Sequence, residues 1–308
     1  MIIDRLKKMP VPLLPTMVGA CTLSNVYLAQ GFPIVRHITM IFAFVIWLIY
    51  LVRIFLVFET CKSEYKTTVP SSLYAGFTML MMILGSYIFD FSSAIGKLFW
   101  SLGLGLHTLH ILIFTYRNIV KDFKMDTFVP SYFVTYNGIM VSVVIGGVMK
   151  EPTILKIVTY YGIGVFTLII PFMIYRLVKH DLKDAFYHTQ AIVLAPSSLC
   201  TVSYLNSVQN PNIYLLGYLY ICVLLALIFI IYKLPKFFSF GFSPAFAGLT
   251  FPMAIGIVAT TKMSGYLKTI GYLDLAIFLT QLSGIQIYLT SGIIFYVLLN
   301  MFIWIRKD

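Results

Sequence analysis

Hydrophobic positions run along this chain in long unbroken stretches, and polar residues gather in short clusters between them. Stretches such as 41–56 and 215–231 are apolar on every side, without the alternation of a half-buried strand or the single stripe of a surface helix. About 20 apolar residues at 1.5 Å each cross ~30 Å of hydrocarbon, so the pattern predicts membrane-spanning helices. A transmembrane barrel needs ~10-residue segments alternating apolar and polar, which these stretches do not provide. Runs and their punctuation place spans at 10–29, 33–58, 70–89, 94–116 and 130–148, then at 154–178, 189–205, 213–232, 244–261 and 272–305. The predicted fold is an all-α polytopic membrane protein of ten transmembrane helices, a single transmembrane domain over residues 1–308.

The links alternate in length. Connections at 30–32 and 90–93 are short, whereas those at 59–69 and 117–128 are longer, so the chain reads as five helical hairpins, each an odd span followed by an even one. An internal repeat supports this unit. Proline beside Ser or Gly recurs in the odd spans, as PTMVGACTLS from Pro15, PSSLYAGF from Pro70, PSYFVTYNG from Pro130, APSSLCTVS from Ala195 and SPAFAGLTFP from Ser243. Proline and small residues are tolerated in membrane helices where freed backbone groups face other helices or water. Repeats in transporters commonly surround the conducting path. The odd helices are therefore expected to line a shared axis, with the even helices outside them.

Charge fixes the expected orientation. One side of the ten-span layout collects Arg5, Lys7, Lys8, Arg53, Lys62, Lys66, Arg117, Lys121, Lys124, Arg176, Lys179, Lys183, Lys233, Lys236, Arg306 and Lys307, and the other only Arg36, Lys97, Lys150, Lys156, Lys262 and Lys268. Cytoplasmic loops are the richer in Lys and Arg, so both termini are expected in the cytoplasm of a multi-pass cell-membrane protein. The net charge of +11 is thus a topology signal, and no nucleic-acid partner is expected. Composition agrees, with 60% hydrophobic and 11% charged residues against the ~25% charged of a soluble domain. Cys21, Cys61, Cys200 and Cys222 have no metal or redox spacing and read as free thiols. Val18-Gly19-Ala20-Cys21 looks like a lipoprotein cleavage site, but Pro10, Pro12 and Pro15 interrupt the would-be signal, so a retained first helix is expected.

The acidic residues narrow the chemistry. None of the eleven lies mid-span, which disfavours a carboxylate relay or a cation-selective ring. No Lys or Arg lies mid-span either, so an anion would be drawn by backbone and hydroxyl dipoles, helix ends and basic mouth residues. His107 and His110 share one face of the fourth span at a spacing that could bind a metal. No nearby Cys, Asp or Glu completes a ligand set, so hydrogen bonding between helices is the reading, with no metal or cofactor. His180 and His188 are placed in a solvated inner loop. There is no P-loop, nucleophile elbow or H-E-x-x-H, and no enzyme is expected. In the ninth span Phe251 stands beside Pro252 at mid-span, where a kink could set a bulky apolar side chain at a constriction. On spacing alone, packing in lipid or protein is the default reading for one of 26 phenylalanines.

PSYFVTYNGI from Pro130, IVLAPSSLC from Ile192 and LTFPMAIGIVATTK from Leu249, within ten spans, resemble the tellurite-resistance/dicarboxylate transporter family over essentially the whole chain. That family holds the bacterial TehA proteins, the fungal malate permease and the plant guard-cell slow anion channels. The resemblance implies a homotrimer in the lipid bilayer, each protomer with its own pore inside five inner helices in quasi-fivefold arrangement. It implies that Phe251 plugs the pore and that Pro15, Pro70, Pro130, Pro196 and Pro252 kink or start the inner helices. Thr250, Ser198 and Asn137, polar residues of the same motifs, join them as pore-wall candidates. Thr135 stands where many relatives have a second proline, and Phe246-Ala247-Gly248 replaces an aromatic-rich start to the ninth helix, changes that bear on pore width. The expected function is passive conduction of small monovalent anions such as chloride and nitrate. The alternative is a coupled carrier or exporter of tellurite, sulfite or a C4-dicarboxylate such as malate.

Overall fold

A computed structural model describes residues 2–306, and among them there are helices and no strand. Lys307 and Asp308, which entered the charge census, lie outside the described residues. Seven helices are long and apolar enough to cross a membrane: α2 (Pro33–Leu56), α3 (Thr68–Phe89), α4 (Ser93–Lys121), α6 (Pro152–Lys179), α8 (Ile213–Phe238), α9 (Pro244–Thr269) and α10 (Leu273–Arg306). Between them stand three shorter helices, α1 (Leu13–Ala29), α5 (Tyr132–Val144) and α7 (Leu194–Ser207).

Burial separates two layers. In the most apolar stretch of α3 and α9, 67% and 72% of residues are buried, against 28–39% in α2, α4, α6, α8 and α10. The even helices turn rows such as Ile34, Ile38, Ile41, Val45 and Val52 outward, where only lipid gives them an apolar environment. The odd helices contact one another in a closed series: α1 packs against α3 and α9, α3 against α5, α5 against α7, and α7 against α9. Two glycines permit this closeness. A Cβ on Gly19 of α1 would lie 2.6 Å from the backbone nitrogen of Phe251, and one on Gly76 of α3 would lie 2.9 Å from that of Pro15. The tight links after α1 and α9 place Gly31 and Gly271 at φ +89°, a left-handed conformation that glycine adopts without strain.

The repeated prolines begin α-helix rather than bend it. Pro15, Pro70 and Pro196 each occupy the third position of an α-helix, and Pro130 lies two residues ahead of one. In the first turn the missing N–H has no intrahelical partner to lose. Pro252 shows how a mid-span proline is accommodated. The backbone is 3₁₀-helical over Pro244–Leu249 and becomes α-helical over Thr250–Thr269, so Pro252 falls in the first turn of the α segment instead of making an interior kink. A 3₁₀ segment, Asp184–Val193, likewise precedes α7, and α5 is interrupted by another at Gly138–Met140.

The structure departs from the sequence pattern in places. The expected inner loop at 59–69 contains a helix, Phe58–Lys66, and α9 continues past 261 to Thr269. Arg53, assigned to the basic side of the layout, lies near the end of α2 and is fully buried. It is held by a dense set of acceptors. Its guanidinium pairs with both Glu64 carboxylate oxygens at 2.7 and 2.8 Å and donates to Leu6 O at 2.7 Å, Lys7 O at 3.2 Å and the Tyr74 hydroxyl at 2.8 Å. One side chain thus fastens the N-terminal helix Ile2–Lys8 and the helix Phe58–Lys66 to α2 and α3.

Candidate functional site

Two cavities follow the axis enclosed by the odd helices. The smaller, about 30 Å³, is lined by Pro15 of α1, Leu73 and Met79 of α3, Phe133 and Gly138 of α5, Ala195 and Leu199 of α7, and Phe251 and Pro252 of α9. All five odd helices contribute to it. Its walls are apolar, and its volume holds one or two waters, too few for a hydrated anion. The larger, about 790 Å³, opens toward the C-terminal ends of the same helices, with Thr22 and Asn25 of α1, Ser86 of α3, Leu205 of α7, and Ile255, Thr261 and Lys262 of α9 among its lining.

Phe251 is the one residue that lines both cavities. Its ring is 6% exposed and stands where the wide vestibule meets the narrow pocket. The backbone beneath it is firmly set. Gly19 lets α1 touch the Thr250–Phe251 peptide, and the Thr250 hydroxyl donates to Ala247 O at 2.8 Å across the change from 3₁₀ to α-helix.

Of the residues singled out in the sequence, Pro15, Phe251 and Pro252 come together at the small cavity. Pro70, Pro130, Pro196, Thr250, Ser198 and Asn137 are not among the residues that line either cavity. Asn137 joins helices, donating through Nδ2 to Gly162 O of α6 at 3.0 Å. Thr250 and Ser198 are fully buried. The two histidines also join helices. His107 Nε2 donates to Thr135 O at 2.9 Å while its Nδ1 lies 2.7 Å from the Thr78 hydroxyl, which ties α4 to α5 and α3. The Tyr65 hydroxyl lies 2.6 Å from His110 Nδ1, and Nε2 lies 3.2 Å from Thr135 Oγ1. Thr135, where a proline was the family expectation, is the hub of both contacts. His188 is buried, its Nε2 donating to Phe237 O at 3.1 Å, so the solvated loop expected for it is corrected: Phe237, Phe240 and Phe246 surround its ring.

Lys262 was missed as a site residue. It was assigned to an outer loop because a lysine usually marks the end of a span, whereas α9 runs two further turns and sets it in the vestibule wall as the only charged residue there. Arg36 stands nearby, donating to Asn25 Oδ1 at 3.0 Å, but Asp90 neutralises it at 2.7 Å.

Helices with outward-facing apolar rows around an inner layer, which encloses a narrow apolar neck opening into a wide vestibule, define an integral membrane protein. Residues 9–304 match the family described as voltage-dependent anion channel, and the chain belongs to that family, the one its motifs resemble. Its members are anion channels and transporters. No curated protein matches the chain.

Proposed function

We propose that this chain is a ten-span channel for small monovalent anions, chloride and nitrate among them, whose pore runs between the five odd helices and is closed by the ring of Phe251. The observation that carries this reading is that Phe251 is the one residue shared by the linings of the vestibule and the apolar neck. An apolar ring in such a neck excludes the water an ion needs to cross.

Ten crossings are consistent with the short helices. The 17 residues of α1 span about 26 Å at 1.5 Å each, close to the ~30 Å hydrocarbon core. The 3₁₀ segment ahead of α7 lengthens it well beyond that thickness. An up-and-down course is supported by ion pairs that join chain segments expected on one side, Arg36 with Asp90 and Lys97 with Glu151, and on the other, Arg53 with Glu64 and Lys183 with Asp126. The closed series of odd-helix contacts fits a quasi-fivefold arrangement. Because every wall of the neck comes from one chain, each protomer of the homotrimer implied by the family would carry its own pore. Both termini lie in the cytoplasm in this reading, on the side richer in Lys and Arg.

Substituting Phe251→Ala joins the two cavities and is expected to raise chloride and nitrate conductance at least tenfold in planar bilayers, with current persisting after the proton gradient is collapsed. Unchanged conductance from a folded, inserted variant would overturn the plug, and current that vanishes with the gradient would favour a coupled carrier.

A further inference from the structure

A groove of about 590 Å³ lies on the outside of the helix bundle, away from the axial cavities. It is bounded by α3, α4 and the helix Phe58–Lys66. Its apolar floor is formed along α4 by Leu106, Leu109 and Ile113, all exposed. Lys62, Lys66 and Arg117 border it, and no carboxylate lines it. Lys62 is half-exposed and reaches Glu59 at 3.4 Å, an exposed pair that leaves its charge largely available. Lys66 is exposed, and Arg117 donates to the Tyr65 carbonyl at 2.7 Å while its guanidinium lies over the Tyr65 ring, 5.4 Å from the centroid.

The spacing matches one leaflet of a bilayer. From Leu106 to Arg117 the helix rises about 16 Å, roughly half of a ~30 Å hydrocarbon core. An acyl chain lying on Leu106, Leu109 and Ile113 would bring its headgroup to the three cations. The exposed apolar floor suits lipid better than water, and the positive rim, with only Lys62 paired and that weakly, selects the sign of the headgroup.

We infer that this groove is a binding site for an anionic phospholipid, seated with its phosphate among Lys62, Lys66 and Arg117. The inference needs only that the chain is a membrane protein; it does not depend on what the axial pore conducts. Tyr65 and His110 line the same groove, Tyr65 bonded to His110 and His110 to Thr135 of α5, so substitutions there would disturb the bundle itself. Lys62 and Lys66 hold no buried contact, which makes them suitable for a test.

Native mass spectrometry of the full chain, purified in detergent and supplied with equal amounts of phosphatidylglycerol and phosphatidylcholine, tests the site. The wild type is expected to retain phosphatidylglycerol in preference, and K62Q/K66Q to lose about tenfold of that preference, since each cation near an anionic lipid counts for several-fold in affinity. Leu109→Trp, which fills the groove without changing charge, is expected to lower retention of phosphatidylglycerol while the protein keeps its melting temperature. Equal retention of the two lipids by the wild type, or an undiminished preference in K62Q/K66Q, would overturn the inference. So would a change of oligomeric state in Leu109→Trp with lipid retention intact, which would make the groove a protein interface.

Discussion

At the scale of single residues, the vestibule turns on Lys262. Among the described residues it is the only charge in a wall otherwise made of hydroxyls, two amides, and aliphatic and aromatic side chains, and no ion pair neutralises it. A fixed cation in a wide aqueous mouth raises the local anion concentration without holding any one anion, and salt screens that effect. In a Phe251→Ala background, Lys262→Gln is therefore expected to cut unitary anion current two- to fivefold at ~10 mM salt, where the Debye length is ~30 Å. Near 1 M, where it is ~3 Å, the two proteins should differ little. Single-channel recording across a salt series checks this, and a deficit of equal size at both ends would mean that Lys262 shapes the pore rather than its field. Phe251 itself could not be singled out by spacing among 26 phenylalanines. What distinguishes it is that it lines two cavities at once, a property of five helices brought together and invisible in any one of them.

At the scale of elements, the long apolar helices were plain in the sequence because hydropathy needs no knowledge of neighbours. The proline positions were equally plain, but their effect was not. Whether proline bends a helix depends on whether its N–H was needed, and only the change from 3₁₀ to α at Thr250 shows that at Pro252 it was not. The helix Phe58–Lys66 was hidden for a related reason. Its polar composition reads as a loop, and its order comes from the contact of Glu64 with Arg53, eleven positions earlier in the chain. That pair is buried on the Arg53 side and a quarter exposed on the Glu64 side. Removing one member of a buried pair leaves the other charged without compensation, at a cost of several kcal/mol. Glu64→Gln should accordingly destabilise the protein by about 3 kcal/mol, the lower end of that range because water still reaches Glu64. Glu59→Gln, which removes only the exposed partner of Lys62, should change stability by less than about 0.5 kcal/mol. Thermal unfolding in detergent compares the two, and equal melting temperatures would mean that the N-terminal helix is not held by this clamp.

At the scale of the whole molecule, the distribution of charge decides what selectivity the pathway can have. One cation, Lys262, stands in the vestibule wall and others at the ends of the spans, while the neck that all five odd helices line has none. An ion entering the neck must shed part of its hydration shell, and a low-dielectric wall returns little of that energy unless fixed charges or ordered dipoles replace the lost water. With apolar side chains and two prolines lining the neck, little is returned. The ease of dehydration then ranks the anions. Nitrate, larger and more weakly hydrated than chloride, should permeate better than chloride through the Phe251→Ala pore, with a permeability ratio above one but within about tenfold, since no site in the neck is built to bind either. Reversal potentials under bi-ionic conditions measure the ratio directly. A preference for chloride, or a ratio beyond a hundredfold, would require a coordinating site in the neck that its apolar lining does not contain, and would move the search for that site to the backbone carbonyls of the interrupted helix α5.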